Sequence, residues 1–267
     1  MKVDSMSKNK KILLSMLISP FLLIVLFFGR DIVRLGIAVW NSPLALEVKW
    51  EGAVNNKNFR DIGASANECL GESVFREGLA FRSNVWFSGW SCDAVGSPEA
   101  IFSLNYLPDE PKRYFCTNKD QVVVGKVFNQ HAQLYDLEFL QTWTPEKQED
   151  FCGFFSEGFK SIAAGKKTLV HCDAGRDRTG TYAALLIALT AELKGKLDRQ
   201  MIDAIECDYR KTKSLASEKR GRMEDFINEI TAEQKVLEFL SDRCQIPQVD
   251  LIAVAEKMWT SKKVSVQ

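Results

Sequence analysis

Residues 171–180 read His-Cys-Asp-Ala-Gly-Arg-Asp-Arg-Thr-Gly. A cysteine, five residues and then an arginine, with histidine before and Thr-Gly after, describe a loop that wraps a phosphate. A free thiol with a pKa of ~8.5 is mostly protonated at neutral pH, so attack by Cys172 on phosphorus needs surroundings that favour its anion. Inward-pointing amides of residues 173–178, a helix dipole and the Arg178 guanidinium would all do so. The planar fork of Arg178 can hold two phosphoryl oxygens at once, which a lysine cannot. Gly175 permits a backbone turn that other residues resist. The Thr179 hydroxyl is placed to donate to the thiolate, and His171 to orient the loop through its ring N–H. The expected phosphate-binding residues are therefore Asp173, Ala174, Gly175, Arg176, Asp177, Arg178 and Thr179.

Such a loop needs a strand to deliver it and a helix to receive it. Residues 167–170 (Lys-Thr-Leu-Val) read as a short buried strand, and residues 181–193 as an apolar helix. Strand, glycine-bearing loop and helix N-terminus together aim several backbone N–H groups at one anion. Further strands are expected at residues 100–104 and 121–128, with a polar loop around Leu107-Pro108-Asp109-Glu110 between them. Thr144-Pro145-Glu146 is a helix start, Thr as N-cap and Pro in the first turn, for a helix running to about Ala164. Gly195 closes the helix after the loop. Residues 198–211, 222–243 and 249–259 read as further helices. Strands alternating with long helices argue an α/β domain with the loop at the carboxyl end of a central strand.

Other readings of the decapeptide fit less well. Cys172 as an ordinary buried thiol leaves the arginine unexplained. A nucleotide P-loop would need Gly-Lys-Ser/Thr, which does not follow the glycine. Zinc binding would need paired cysteines or histidines, and the only other histidine is His131. No metal and no other cofactor is expected.

The loop resembles that of the cysteine-dependent protein tyrosine and dual-specificity phosphatase superfamily, on His171, Cys172, Gly175, Arg178, Thr179 and Gly180. A second stretch, Asn58-Phe59-Arg60-Asp61-Ile62-Gly63 followed by Gly78-Leu79-Ala80-Phe81-Arg82-Ser83-Asn84, is similar to the opening of a bacterial and fungal branch of that superfamily, which includes secreted enzymes active on phosphotyrosine and phosphoinositides. Together they imply homology over roughly residues 50–240 and the phosphatase fold, a mixed twisted sheet flanked by helices. The resemblance implies a phosphomonoester hydrolase working through a cysteinyl-phosphate, with Cys172 as nucleophile and Arg178 stabilising the transition state. Phosphotyrosine or dual-specificity protein substrates come first, and phosphoinositides or other phospholipid headgroups second. Arg176, a basic residue two places before the arginine, also occurs in phosphatases of inositol lipids. An inactive phosphate-binding tether is the reading from another class, and a rhodanese-like sulfur carrier would not require the Arg-Thr-Gly ending.

The leaving oxygen needs a proton, which the superfamily often takes from an aspartate on a separate loop some thirty residues before the cysteine. Asp136 and Glu138 fall there, while Trp143-Thr144-Pro145 has no aspartate after the proline. The similar branch carries an aspartate just before the loop arginine that can serve as the acid, so Asp177 is the first candidate and Asp136 the second.

The 267 residues are 46% hydrophobic with zero net charge, which gives one sizeable core and no general attraction to nucleic acid. Residues 1–11 are basic, and residues 12–29 are apolar without a charge, near the lower limit of the ~17–25 residues that span a bilayer. Lys8, Lys10 and Lys11 before that stretch favour an inside N-terminus. No small-x-small cleavage site follows it, so a retained transmembrane helix is preferred to a cleaved signal peptide. The expected organisation is a cytoplasmic N-terminus at 1–11, an anchor at 12–29, a connector at 30–50 and a catalytic domain at 51–267. That makes a single-pass membrane protein with its catalytic domain outside the cytoplasm, on the periplasmic side in a bacterium. Apart from Cys172 there are six cysteines, an even set that suits an exported domain and allows fifteen connectivities. Cys69 and Cys92 are expected among the oxidised ones. Lys211, Lys213, Lys219, Arg220 and Arg222 form a basic run that reads either as a solvated helix end or as a recruiter of a second phosphate.

Overall fold

The computed structural model describes residues 58–88, 90–104, 114–125, 134, 136–212 and 217–260. The apolar stretch 12–29, the connector 30–50, the 107–110 loop, His131, Lys213 and the end of the expected 121–128 strand lie outside them. Among the described residues no helix is long and apolar enough to cross a membrane.

Strand β1 (Arg60–Asp61) runs directly into helix α1 (Ile62–Leu70), because Asp61 accepts the Ala64 N–H at 3.0 Å and caps the first turn. Strand β2 (Ala80–Ser83) follows, then β3 (Trp90–Ser91), β4 (Ala100–Ser103), β5 (Cys116–Thr117) and β6 (Val123–Val124). Helix α2 (Pro145–Ala163) starts where expected, with the Thr144 hydroxyl accepting the Lys147 N–H. Strand β7 (Thr168–His171) leads through the loop into α3 (Asp177–Leu193), which begins four residues earlier than the apolar pattern predicts. Then come α4 (Arg199–Arg210), α5 (Arg222–Glu233), α6 (Val236–Arg243) and α7 (Gln248–Met258). The helix expected over 222–243 is thus two helices: Gln234 and Lys235 are extended, and the Val236 and Leu237 N–H groups at the new start are held by Glu192 of α3 at 2.7 and 2.9 Å.

The main sheet has the order β1-β2-β7-β4, with β7 parallel to both neighbours and β1 antiparallel at the edge. The mixed twisted sheet flanked by helices is as expected. In a second sheet, β3-β5-β6, strand β6 falls within the strand expected at 121–128, while β3 and β5 were not expected. Helix α3 is apolar all round, with every residue from Thr179 to Ala191 buried, as befits a central core helix. It packs on β2 and β7 and is surrounded by α4, α5, α6 and α7. Phe154, Phe155 and Phe159 of α2 meet its Tyr182 edge-on or tilted. Burial of each such ring contributes on the order of 1.5–3 kcal/mol, so loop geometry rests on a rigid base.

Three disulfides staple this arrangement: Cys69–Cys207 joins α1 to α4, Cys92–Cys116 the second sheet, and Cys152–Cys244 joins α2 to the end of α6. Cys172 alone is a free thiol among the described residues. Closing long loops constrains the unfolded chain, typically by about 2–4 kcal/mol per bond. A Cys152→Ser/Cys244→Ser chain should therefore unfold at a clearly lower urea concentration than the parent. An unchanged midpoint would show that this bond is absent or idle in solution.

Candidate active site

The carboxyl end of β7 delivers Cys172, and the first turn of α3 delivers Asp177 and Arg178. Between them the chain turns at Gly175, whose φ is +65°; a Cβ there would stand 2.5 Å from the Ser83 carbonyl and 2.6 Å from the Asn84 nitrogen. Only glycine fits, because both the conformation and the space against β2 exclude a side chain.

Four successive carbonyls of the loop point outward to donors from elsewhere. The Val85 N–H donates to Asp173 O at 3.2 Å, and Asn58 Nδ2 to Ala174 O at 2.7 Å. Arg82 Nη2 donates to Gly175 O at 3.1 Å and Arg176 O at 3.2 Å, and the Gly180 N–H reaches Arg176 O as well. In a planar trans peptide the N–H lies opposite the C=O. The N–H groups of residues 174–177 are thereby turned away from those donors.

A cavity of about 240 Å³ is lined by Cys172, Asp173, Ala174, Arg176, Asp177, Arg178 and Asp136. Five of the seven expected phosphate-binding residues line it; Gly175 and Thr179 are buried behind it. Cys172 is 2% exposed, and what it shows opens into this cavity. Arg178 Nη1 donates to the Leu104 carbonyl at 2.5 Å, and the Leu104 N–H donates to His171 O, tying the arginine to the end of β4.

Two expected contacts are not formed. The Thr179 hydroxyl is buried and has no hydrogen-bond partner among the described residues, so it makes no bond to the Cys172 sulfur. Neither ring nitrogen of His171 has one either. His171 is instead held by packing, edge-on to Phe87 and to Tyr114, each at 4.8 Å. Burial pushes its pKa down to about 3, against a smaller upward pull from the Cys172 backbone. It is a neutral wedge under the loop.

Both acid candidates are brought to the cavity. Asp136 stands at its exposed rim, with a φ of +57° and its carbonyl accepting from Thr142 and Phe139. Asp177 accepts from Tyr209 Oη at 2.5 Å, from Lys219 Nζ at 2.7 Å and from Arg176 Nε at 3.2 Å. Burial works to raise the Asp177 carboxyl, but Lys219 and Tyr209 outweigh it and hold the group below the usual carboxylate range. Tyr209 was not singled out in the sequence; its phenol is pushed upward by burial and by Asp177, and so stays a proton donor. Glu138 does not reach the cavity: it is buried, and pairs with Arg222 at 2.7 Å.

The basic run is largely matched by carboxylates. Lys211 pairs with Glu68 at 2.8 Å, Lys219 with Asp177 and Arg222 with Glu138. Lys219 alone of these reaches a loop residue.

A sequence model described as "Tyrosine phosphatase family" matches residues 129–263, just over half of the chain. The matched stretch carries the loop, Asp136 and Tyr209, but not the 58–84 segment. No curated protein matches the chain.

Proposed function

The chain belongs to the tyrosine phosphatase family, and on that premise we propose that it hydrolyses phosphotyrosine proteins through a covalent intermediate on Cys172. The observation that carries this reading is the shared cavity: a free, buried thiol at the loop's start and a guanidinium at its end line one space. The Cys172 sulfur attacks phosphorus and the bond to the ester oxygen breaks, while Arg178 and the loop amides hold the equatorial oxygens as charge builds on them. The departing oxygen takes its proton from Asp177. Water then attacks the phosphocysteine, gives its proton to the Asp177 carboxylate, and the sulfur leaves as thiolate. No metal takes part in this sequence.

Before substrate arrives, Lys219 and Tyr209 keep Asp177 ionised. A phosphoryl dianion in the cavity opposes that state and draws Lys219 toward itself, so Asp177 takes up its proton as the ester binds. The carboxyl must be protonated to act, hence kcat falls as pH rises through its pKa in the complex. Asp177→Asn should lose that limb of the pH profile and about 10²-fold or more in turnover of a phosphotyrosine peptide. Wild-type turnover with an unchanged profile would move the role to Asp136, which lines the same cavity.

Protein substrates are favoured over polyphosphorylated headgroups because Lys211 and Arg222 are already engaged by carboxylates away from the loop. Three disulfides support an oxidising compartment. With the apolar stretch 12–29 they support a membrane-anchored enzyme whose catalytic domain faces away from the cytoplasm. The substrate test is a panel of phosphotyrosine peptides, phosphoserine peptides and phosphoinositides, assayed in EDTA. Fastest turnover of phosphotyrosine peptides is expected; fastest turnover of an inositol lipid would overturn the substrate assignment.

A further inference from the structure

The 58–84 segment, which the sequence singles out but the chemistry above does not use, converges on the back of the phosphate loop. Asn58 donates to the Ala174 carbonyl and Arg82 to those of Gly175 and Arg176. We propose that Asn58, Arg82 and Asp208 are positioning residues for phosphoryl transfer: they pin the loop's carbonyls outward so that its amides face the phosphoryl group. This rests on the reading of the loop as a phosphoryl site.

Each part is arranged for that purpose. Asn58 has a φ of +51°, a left-handed conformation that asparagine tolerates better than most residues. Arg82 is wholly buried, yet it bridges two consecutive carbonyls of the loop with one nitrogen and Asp208 of α4 with another. Asp208 also accepts from Arg60 Nε at 2.7 Å and from Ser65 Oγ at 2.6 Å, so it is fixed from β1 and α1 as well. Cys207, its neighbour, is bonded to Cys69 of α1. Two guanidiniums face one carboxylate here, so this cluster of described residues carries a net positive charge, with Arg82 on the loop's carbonyls. Burial and the nearby Arg60 bring Arg82 down to about 10, still charged at neutral pH, and Asp208 opposes that fall. Burial works to raise Asp208, but Arg60 and Arg82 hold it well below the usual carboxylate range. A phosphate loop without this frame would be free to flip individual peptides, each flip turning a donor into a repelling carbonyl.

The test uses the full chain with Arg82→Lys and, because the first site is buried, Asn58→Asp at the exposed contact. Lysine keeps the charge but cannot span two carbonyls and a carboxylate; aspartate keeps the shape but removes the donor. Turnover of p-nitrophenyl phosphate, vanadate inhibition and the pH dependence of Cys172 alkylation by iodoacetate are read well below each melting temperature. The Cys152→Ser/Cys244→Ser chain calibrates the effect of lost stability alone. Arg82→Lys should lose about ten- to a hundredfold in kcat/KM and Asn58→Asp up to about tenfold. Vanadate inhibition should weaken in parallel, and the alkylation midpoint should move to higher pH; the calibrating chain should show neither change. Variants that match wild type in turnover and vanadate inhibition, or that lose activity only in step with unfolding, would overturn the inference and leave the functional reading standing. A wild-type chain that neither turns over the ester nor responds to vanadate would overturn both.

Discussion

Cys172→Ser is expected to abolish turnover, by about 10⁴-fold or more, while a phosphate ester still binds. The serine hydroxyl nearly matches the thiol in size, so the cavity, the Gly175 turn and the carbonyl contacts of residues 173–176 all persist. What disappears is a sulfur nucleophile that also leaves readily from phosphorus in the second step. Affinity for vanadate or a phosphotyrosine peptide should stay within about tenfold of wild type, since the amides and Arg178 supply it. Retained turnover in this variant would remove the covalent mechanism outright.

Arg178→Lys should lower kcat/KM by about 10²–10³-fold, the range seen when one donor to a developing oxyanion is withdrawn. Charge is conserved, so the loss measures the two-pronged geometry rather than electrostatics in general. The effect should fall on kcat as well as KM, because the equatorial oxygens gain charge on the way to the transition state. Arg178 also holds the Leu104 carbonyl, so a small fall in melting temperature is expected alongside. Turnover within about threefold of wild type would mean that the loop amides alone carry the phosphoryl charge.

The strand, loop and helix around Cys172 were legible because their signals are local: a buried tetrapeptide, a fixed cysteine–arginine spacing, and an apolar run. The start of α2 at Thr144-Pro145 was legible for the same reason. The division of 222–243 was not, since Gln234 and Lys235 carry no helix-breaking signature and the break is imposed by Glu192, more than forty residues away. Nor were β3 and β5 of the second sheet, which are two residues each and are linked by the disulfide from Cys92, just after β3, to Cys116 of β5. An even count allowed three bridges, and Cys69 and Cys92 are both oxidised as expected, but the pairing of Cys69 with Cys207 depends on α1 meeting α4 across 138 residues. Within the site, Cys172 and Arg178 came from their spacing and Asp177 and Asp136 from the family resemblance, and all four line the one cavity. Tyr209, Lys219 as a partner of Asp177, and Asp208 behind Arg82 were not found, because their side chains meet the loop only after the helices pack. The readings given to Thr179 and His171 failed on burial: neither side chain has a hydrogen-bond partner among the described residues, and His171 packs on Phe87 and Tyr114 instead.

The most direct measurement is mass spectrometry of the enzyme denatured during steady turnover of p-nitrophenyl phosphate, with the Cys172 peptide isolated under non-reducing conditions. One phosphoryl group on Cys172, more abundant in Asp177→Asn and absent in Cys172→Ser, is the predicted result. An unmodified Cys172 peptide from an enzyme that is turning over, or a phosphoryl group found on another residue, would contradict it.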